Sequence, residues 1–188
     1  MNSMHSMKRI VCLLLSLLLP VLLLCACKEG GGESGVPDGC LKAESEALDF
    51  FFCYPEEWEL DRNDGMLSVR CNVGTQLNTV YASVSAMAFG LSDPLMGANN
   101  YWDEYRSQLE TNFPGMEFIK EKEEIRLGGV VANRNRCKFE QDGLEICFET
   151  AVCVKNGSVY LVTLTVPERS YADARGGYDT ILSTFAFL

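Results

Sequence analysis

Nine cysteines, one histidine and a row of carboxylates are the side chains in these 188 residues with the means to do chemistry. His5 precedes the first apolar run, so removal of that run leaves no imidazole, and with it go Ser-His and Cys-His catalysis and every His-ligated metal site. Cys40, Cys53, Cys71, Cys137, Cys147 and Cys153 contain no Cys-x-x-Cys, which leaves zinc and thioredoxin-like redox chemistry without their usual spacing. An even number of thiols outside the cytoplasm fits a disulfide framework. Cys137 and Cys147 face one another if Gln141, Asp142 and Gly143 form a three-residue loop; a two-residue loop sends them to opposite faces. Left unpaired, they are buried hydrophobes.

Glu56, Glu57, Glu59, Asp61 and Asp64 crowd one strand and turn. Paired carboxylates there would serve acid and base catalysis or hold calcium, while the plain reading is a solvated edge. Asp61, Arg62, Asn63, Asp64, Gly65 falls one residue short of an EF-hand opening, and no glutamate stands at the twelfth position. The chain has no Gly-x-Ser-x-Gly, no Walker A loop and no dinucleotide fingerprint. No catalytic residue, cofactor or metal ligand is therefore assigned.

Lys8 and Arg9 precede an apolar run from Ile10 to Leu24, the charged and hydrophobic regions of a secretory signal. The run ends in Leu24, Cys25, Ala26, Cys27, which resembles the lipobox of bacterial lipoproteins. That resemblance implies that the Cys27 thiol receives diacylglycerol, its acyl chains typically palmitate, and that cleavage after residue 26 makes Cys27 the first residue of the mature protein. Two acyl chains suffice for stable anchoring. Residues 27–40, with three successive glycines at 30 to 32, read as a flexible linker between anchor and domain.

Sixteen basic and 26 acidic side chains give a net charge of −10, and loss of residues 1–26 takes away two basic groups and no acidic one, leaving −12. A phosphate backbone would be repelled, so nucleic acid is excluded as a partner. The same acidity argues against electrostatic docking on an anionic membrane, so attachment is through the lipid.

From 41 to 188 the composition is that of one globular domain. Asp64-Gly65, Gly128-Gly129, Asp142-Gly143 and Asn156-Gly157 are hairpin turn pairs, and four of them predict an antiparallel sheet. A two-residue turn at Gly128-Gly129 places Glu123 opposite Arg134, Glu121 opposite Arg136 and Phe118 opposite Phe139. The turn at Asn156-Gly157 places Val154 opposite Val159 and Cys153 opposite Tyr160. Asn100, with Asp103 three residues on, predicts a helix over 100–113 burying Trp102, Tyr105, Leu109 and Phe113. A second, from Ser170, buries Ala174, Tyr178, Ile181, Leu182 and Phe185; Gly176 and Gly177 inside it point to close packing or a kink. A short helix fits 41–48. Leu91, Leu95 and Met96, in the stretch from Phe89 to Ala98, suit either a protein contact or a loop folded over the sheet, and Tyr101 falls off the buried stripe of its helix. The fold class is α+β, an antiparallel sheet flanked by helices.

Phe51, Phe52, Cys53, Tyr54, Pro55, Glu56, Glu57, Trp58 resembles the opening strand and Tyr-Pro-x-x-Trp turn of PsbP-like domains. The closing helix from Tyr178 to Phe187, and Leu127, Gly128, Gly129 at the central hairpin, are similar to that family as well. The resemblance implies an α/β/α sandwich that binds other macromolecules and shares no common catalytic residues. The family includes an extrinsic photosystem II subunit, a nuclear Ran-binding protein and many bacterial lipoproteins; the lipobox and the missing histidine depart from the photosynthetic branch. The expectation is a non-enzymatic binding or assembly module, lipid-anchored at Cys27 on the outer side of a bacterial cell membrane, with another envelope protein as partner. Two rivals remain: a cell-envelope hydrolase using paired carboxylates, and an acidic calcium-binding module.

Overall fold

The computed structural model describes residues 35–63, 65–75 and 79–188, of which Gly39–Leu188 form a compact unit. The expected signal, 1–26, and most of the linker, 27–40, lie outside the described residues.

The turn pairs set the frame. At Gly128-Gly129, Asp142-Gly143 and Asn156-Gly157 both central residues have positive φ, from 52° to 80°, the conformation that matches the twist of two antiparallel strands. They join β6 (Glu117–Leu127), β7 (Val130–Gln141), β8 (Leu144–Lys155) and β9 (Ser158–Pro167), with Leu127 opposite Val130, Gln141 opposite Leu144 and Lys155 opposite Ser158. β3 (Glu59–Asn63), β4 (Met66–Asn72) and β5 (Tyr81–Gly90) complete an antiparallel sheet in the order β3-β4-β5-β9-β8-β7-β6. A second sheet has the order β1-β2-β10, from β1 (Cys40–Glu44), β2 (Phe50–Pro55) and β10 (Ala186–Phe187). The helices are α1 (Ala98–Asn112) and, after a single 3-10 turn at Glu168–Ser170, α2 (Tyr171–Thr184).

Side chains alternate across each strand, so every position has a determined face. On one face Leu67, Val69, Val84, Val162 and Leu164 pack with Phe50 and Phe52 of β2 and with Tyr178 and Ile181 of α2, all buried. On the other, Val152, Val159 and Leu161 lie with Trp102 and Leu109 of α1. The stripes expected for both helices are the ones that pack inward.

Three expectations are corrected and one left open is decided. Residues 41–48 are not helical: β1 runs antiparallel to β2 from Cys40 opposite Pro55 to Glu44 opposite Phe51, burying Ala43 and leaving Leu41 exposed. α1 starts at Ala98 behind Gly97, with no side-chain cap from Asn100, and Asp103 pairs with Lys122 at 2.7 Å instead of closing a capping box. The turn at Asp142-Gly143 has two residues, so Lys138 and not Cys137 stands opposite Cys147, and all six cysteines from Cys40 to Cys153 are free.

The fourth concerns β6. Its register with β7 holds from Leu127 to Glu123, which stands opposite Arg134, then shifts so that Lys120 faces Arg136 and Phe118 faces Cys137. Each shift accommodates one extra residue of β6, and Lys122 takes φ +53° there, its N–H donating to Asn135 Oδ1 at 2.7 Å. A buried indole N–H needs an acceptor. The bulge turns Glu121 toward α1, where its carboxylate accepts from Trp102 Nε1 at 3.0 Å and Arg106 Nε at 2.8 Å. Phe139 stacks against Phe113, centroids 4.5 Å apart, instead of meeting Phe118.

Candidate functional site

Cys27, the expected lipidation site, lies outside the described residues, as does Asp64 of the acidic row. Of the other carboxylates, Glu56 and Glu57 are exposed in the turn between β2 and β3. Glu59 accepts a hydrogen bond from Arg70 Nε at 3.1 Å, and Arg70 lies over the Tyr81 ring at 4.9 Å. The row is a solvated strand edge. Among the described residues no group of three His, Cys, Asp or Glu side chains converges as metal ligands do.

Burial pushes the Cys137 and Cys147 thiols up to about 12, and the Cys153 and Cys71 thiols to about 11. A nucleophilic cysteine needs the opposite, a thiolate stabilised near neutral pH. These four serve as packing side chains.

Under the start of α2 lies a charged cluster that no sequence motif announces. Arg134 of β7 binds Glu149 of β8 and reaches Asp179 of α2 at 2.8 Å; Arg136 binds Glu168 of the 3-10 turn. The Tyr171 hydroxyl donates to Glu149 Oε2 at 2.6 Å, and the Arg136 guanidinium lies 3.7 Å from the centre of the Tyr171 ring. Burial works against the charge on Arg134, but the hydrogen bond to Glu149 and the nearby Glu149 and Asp179 charges raise its pKa overall. Below it, the buried Tyr178 hydroxyl donates to Val162 O at 2.8 Å and accepts from Ala151 N–H at 3.1 Å. Each guanidinium is neutralised by a touching carboxylate, so the cluster is a clasp fastening α2 to the sheet.

The other side of the sheet holds an open feature. On α1, Trp102 and Leu109 point at the strands, while Tyr101, Glu104, Tyr105 and Gln108, at positions i, i+3, i+4 and i+7, form the flank toward β5. With Met87 and Phe89 of β5, Met96 of the loop between β5 and α1, and Leu161 of β9, this flank bounds a groove of about 430 Å³. Phe89 and Tyr101 have ring centroids 6.1 Å apart, and Tyr101 lies almost parallel to Tyr105 at 6.0 Å. The loop is held at its start, where Leu91 N–H donates to Gly157 O at 2.8 Å. Both readings of this stretch apply to different residues: Leu91 packs against the core, whereas Leu95 is 91% exposed and Phe89 43%. The apolar stretch from Phe89 to Ala98 and Tyr101 were recognisable in sequence; Met87 and Leu161 were not separable from ordinary strand core.

No protein-family model and no curated protein matches the chain. Solved structures do. Cyanobacterial PsbP (CyanoP) from Synechocystis sp. PCC 6803 superposes with a TM-score of 0.58 at 16% identity, covering 86% of this chain and 100% of that one. LpqN of Mycobacterium tuberculosis, described as involved in cell envelope biogenesis, gives 0.52 at 14% identity over 78% of this chain and 90% of that one. A Pseudomonas aeruginosa protein of unknown function, described as a putative regulator, gives 0.53 at 13% identity over 74% and 91%. Identities this low speak for architecture alone. With its antiparallel sheet, its two helices and these neighbours, the compact unit has the PsbP-like α+β fold.

Proposed function

We propose that the protein is a non-catalytic binding or assembly module of the bacterial cell envelope, tethered by a lipid on Cys27 and facing outside the cytoplasm. The observation that carries this reading is the groove beside α1: aromatic, methionine and leucine side chains line it together with Ser92, Gln108 and a single carboxylate, Glu104, and no cysteine, lysine or histidine is among the lining residues. Mixed aromatic, aliphatic and polar surface of this kind suits contact with another macromolecule. The fold shared with LpqN, whose description places it in envelope biogenesis, is in keeping with that location. Among the described residues no helix is long and apolar enough to cross a membrane.

Crosslinking and pull-down from intact cells tests the reading, comparing the native chain with Cys27→Ala in membrane and soluble fractions. The native chain should fractionate with membranes and capture one envelope protein that Cys27→Ala loses. Retention of Cys27→Ala on the membrane overturns the anchor, and an anchored protein that captures nothing overturns the binding role.

A further inference from the structure

We infer that the groove beside α1 seats a cationic amphipathic helix of a partner protein, an assignment that rests on the binding-module reading and specifies what is bound. Both edges of β5 are already occupied, by β4 and β9, so the groove floor offers no free backbone groups and a partner cannot add as a strand. Recognition there is by side chains. α1 lies over β7 and β8, and with strands about 4.8 Å apart and helices packing about 8–10 Å from one another, the next helical seat on this face falls over β9 and β5. That seat is the groove. Its floor is Met87 and Leu161, and Met66 stands opposite Met87 on the adjoining strand. Methionine is flexible and polarizable, suited to receiving the apolar anchors of a helix. Farther along β4 and β5, the same face turns to Ser68, Ser83 and Ser85, which limits the apolar contact to one end.

Charge selects among amphipathic helices. Glu104 is exposed on the α1 wall and Asp93 on the opposing loop, no lysine or arginine lines the groove, and the chain after Cys27 carries a net −12. Lysines and arginines flanking the apolar anchors would meet these carboxylates, while an acidic helix would be repelled.

The test uses the full lipidated chain in nanodiscs of zwitterionic lipid, with empty discs as background. Two labelled amphipathic peptides of equal apolar content, one Leu/Lys and one Leu/Glu, are titrated by fluorescence anisotropy. The Leu/Lys peptide should bind about tenfold more tightly than the Leu/Glu peptide. Glu104→Lys, on an exposed position that leaves folding intact, should lower that ratio about two- to fivefold, and Tyr101→Ala should weaken the Leu/Lys peptide alone or with Glu104→Lys. Equal binding of the two peptides, binding of neither, displacement of the Leu/Lys peptide by oleate, or a ratio unmoved by Glu104→Lys overturns the assignment. A cellular partner captured equally well by the native chain and by Glu104→Lys also overturns it, while leaving the tethered-module reading standing.

Discussion

One face of the seven-stranded sheet lies under α2 and the β1-β2-β10 sheet, where twenty-four buried side chains form a continuous core among the described residues; the other lies under α1 alone, with five. Charged groups follow the same division. On the α2 face Glu149 is 4% exposed and tied to Arg134 and Tyr171, whereas on the α1 face the ion pairs are more open: Glu121, bound to Trp102 and Arg106, is partly exposed, and the Lys122 to Asp103 pair stands in solvent. A carboxylate buried and bound on both oxygens, as Glu149 is, cannot also engage a partner. Concentrating buried side chains and buried charge on one face holds the fold, and the other face is left with a groove whose lining, apart from Leu161, is half-buried or exposed.

The sharpest way to break this comparison is to remove a carboxylate from each face. Glu149→Ala leaves the buried Arg134 guanidinium with Asp179 as its remaining carboxylate and the half-buried Tyr171 hydroxyl without its acceptor, and we expect it to cost about 3 kcal/mol in urea unfolding. Asp103→Ala removes an exposed pair and should cost at most about 1 kcal/mol. Comparable losses from the two would mean that the faces share the load.

Two adjacent glycines in α2 give a finer comparison. A Cβ on Gly177 would intrude on the Trp58 ring, whereas one on Gly176 meets nothing within 4 Å. Gly177→Ala should destabilise by about 1–3 kcal/mol through overpacking, and Gly176→Ala should be neutral or stabilise by up to about 1 kcal/mol through helix propensity. Thermal melts of both variants read the difference, which places the close approach of α2 to Trp58 at one residue.

Cys147 lies on the α2 face and Cys137 on the α1 face beneath the helix, and burial raises both thiols from 9.0 to about 12. Below pH 9 folded and unfolded chains both hold these protons. Above it the unfolded chain releases them first, so stability falls between about pH 9 and pH 12, by at most about 1.4 kcal/mol per pH unit for each thiol. Unfolding free energies measured from pH 8 to 10.5 should show this fall, and it should be shallower in Cys137→Ala and in Cys147→Ala alike. A slope reduced in Cys147→Ala but unchanged in Cys137→Ala would show that the α1 face is wet beneath its helix as well as beside it.

The contrast between the faces was only partly legible in the sequence. Turn pairs such as Asn156-Gly157 set their own backbone geometry, so the register across that turn, the register of β6 with β7 from Leu127 back to Glu123 and the inward stripes of both helices followed from local chemistry. What failed depended on groups distant along the chain. The bulge in β6 answers the buried N–H of Trp102, nineteen residues before Glu121, which no periodicity within β6 encodes. Arg134 stands opposite Glu123 as the register predicted, yet its ion pairs are with Glu149 and Asp179, brought in by β8 and α2. Phe89 alternates like any core strand residue, and its exposure was decided by where α1 comes to rest.

That placement also sets the smallest expected effect. Leu95 is 91% exposed at the loop tip beside the groove, so Leu95→Ser removes almost no apolar surface that folding buries. Its unfolding free energy should stay within about 0.5 kcal/mol of the parent, with an unchanged dependence on urea, because the surface released on unfolding is the same. Phe89→Ser, at 43% exposure, should cost more than Leu95→Ser but less than a buried aromatic truncation, which runs to about 3–5 kcal/mol. A loss above about 1 kcal/mol for Leu95→Ser would mean that the loop tip is part of the core. The α1 face would then have no apolar surface to spare, and the groove would lose its standing as a place for a partner.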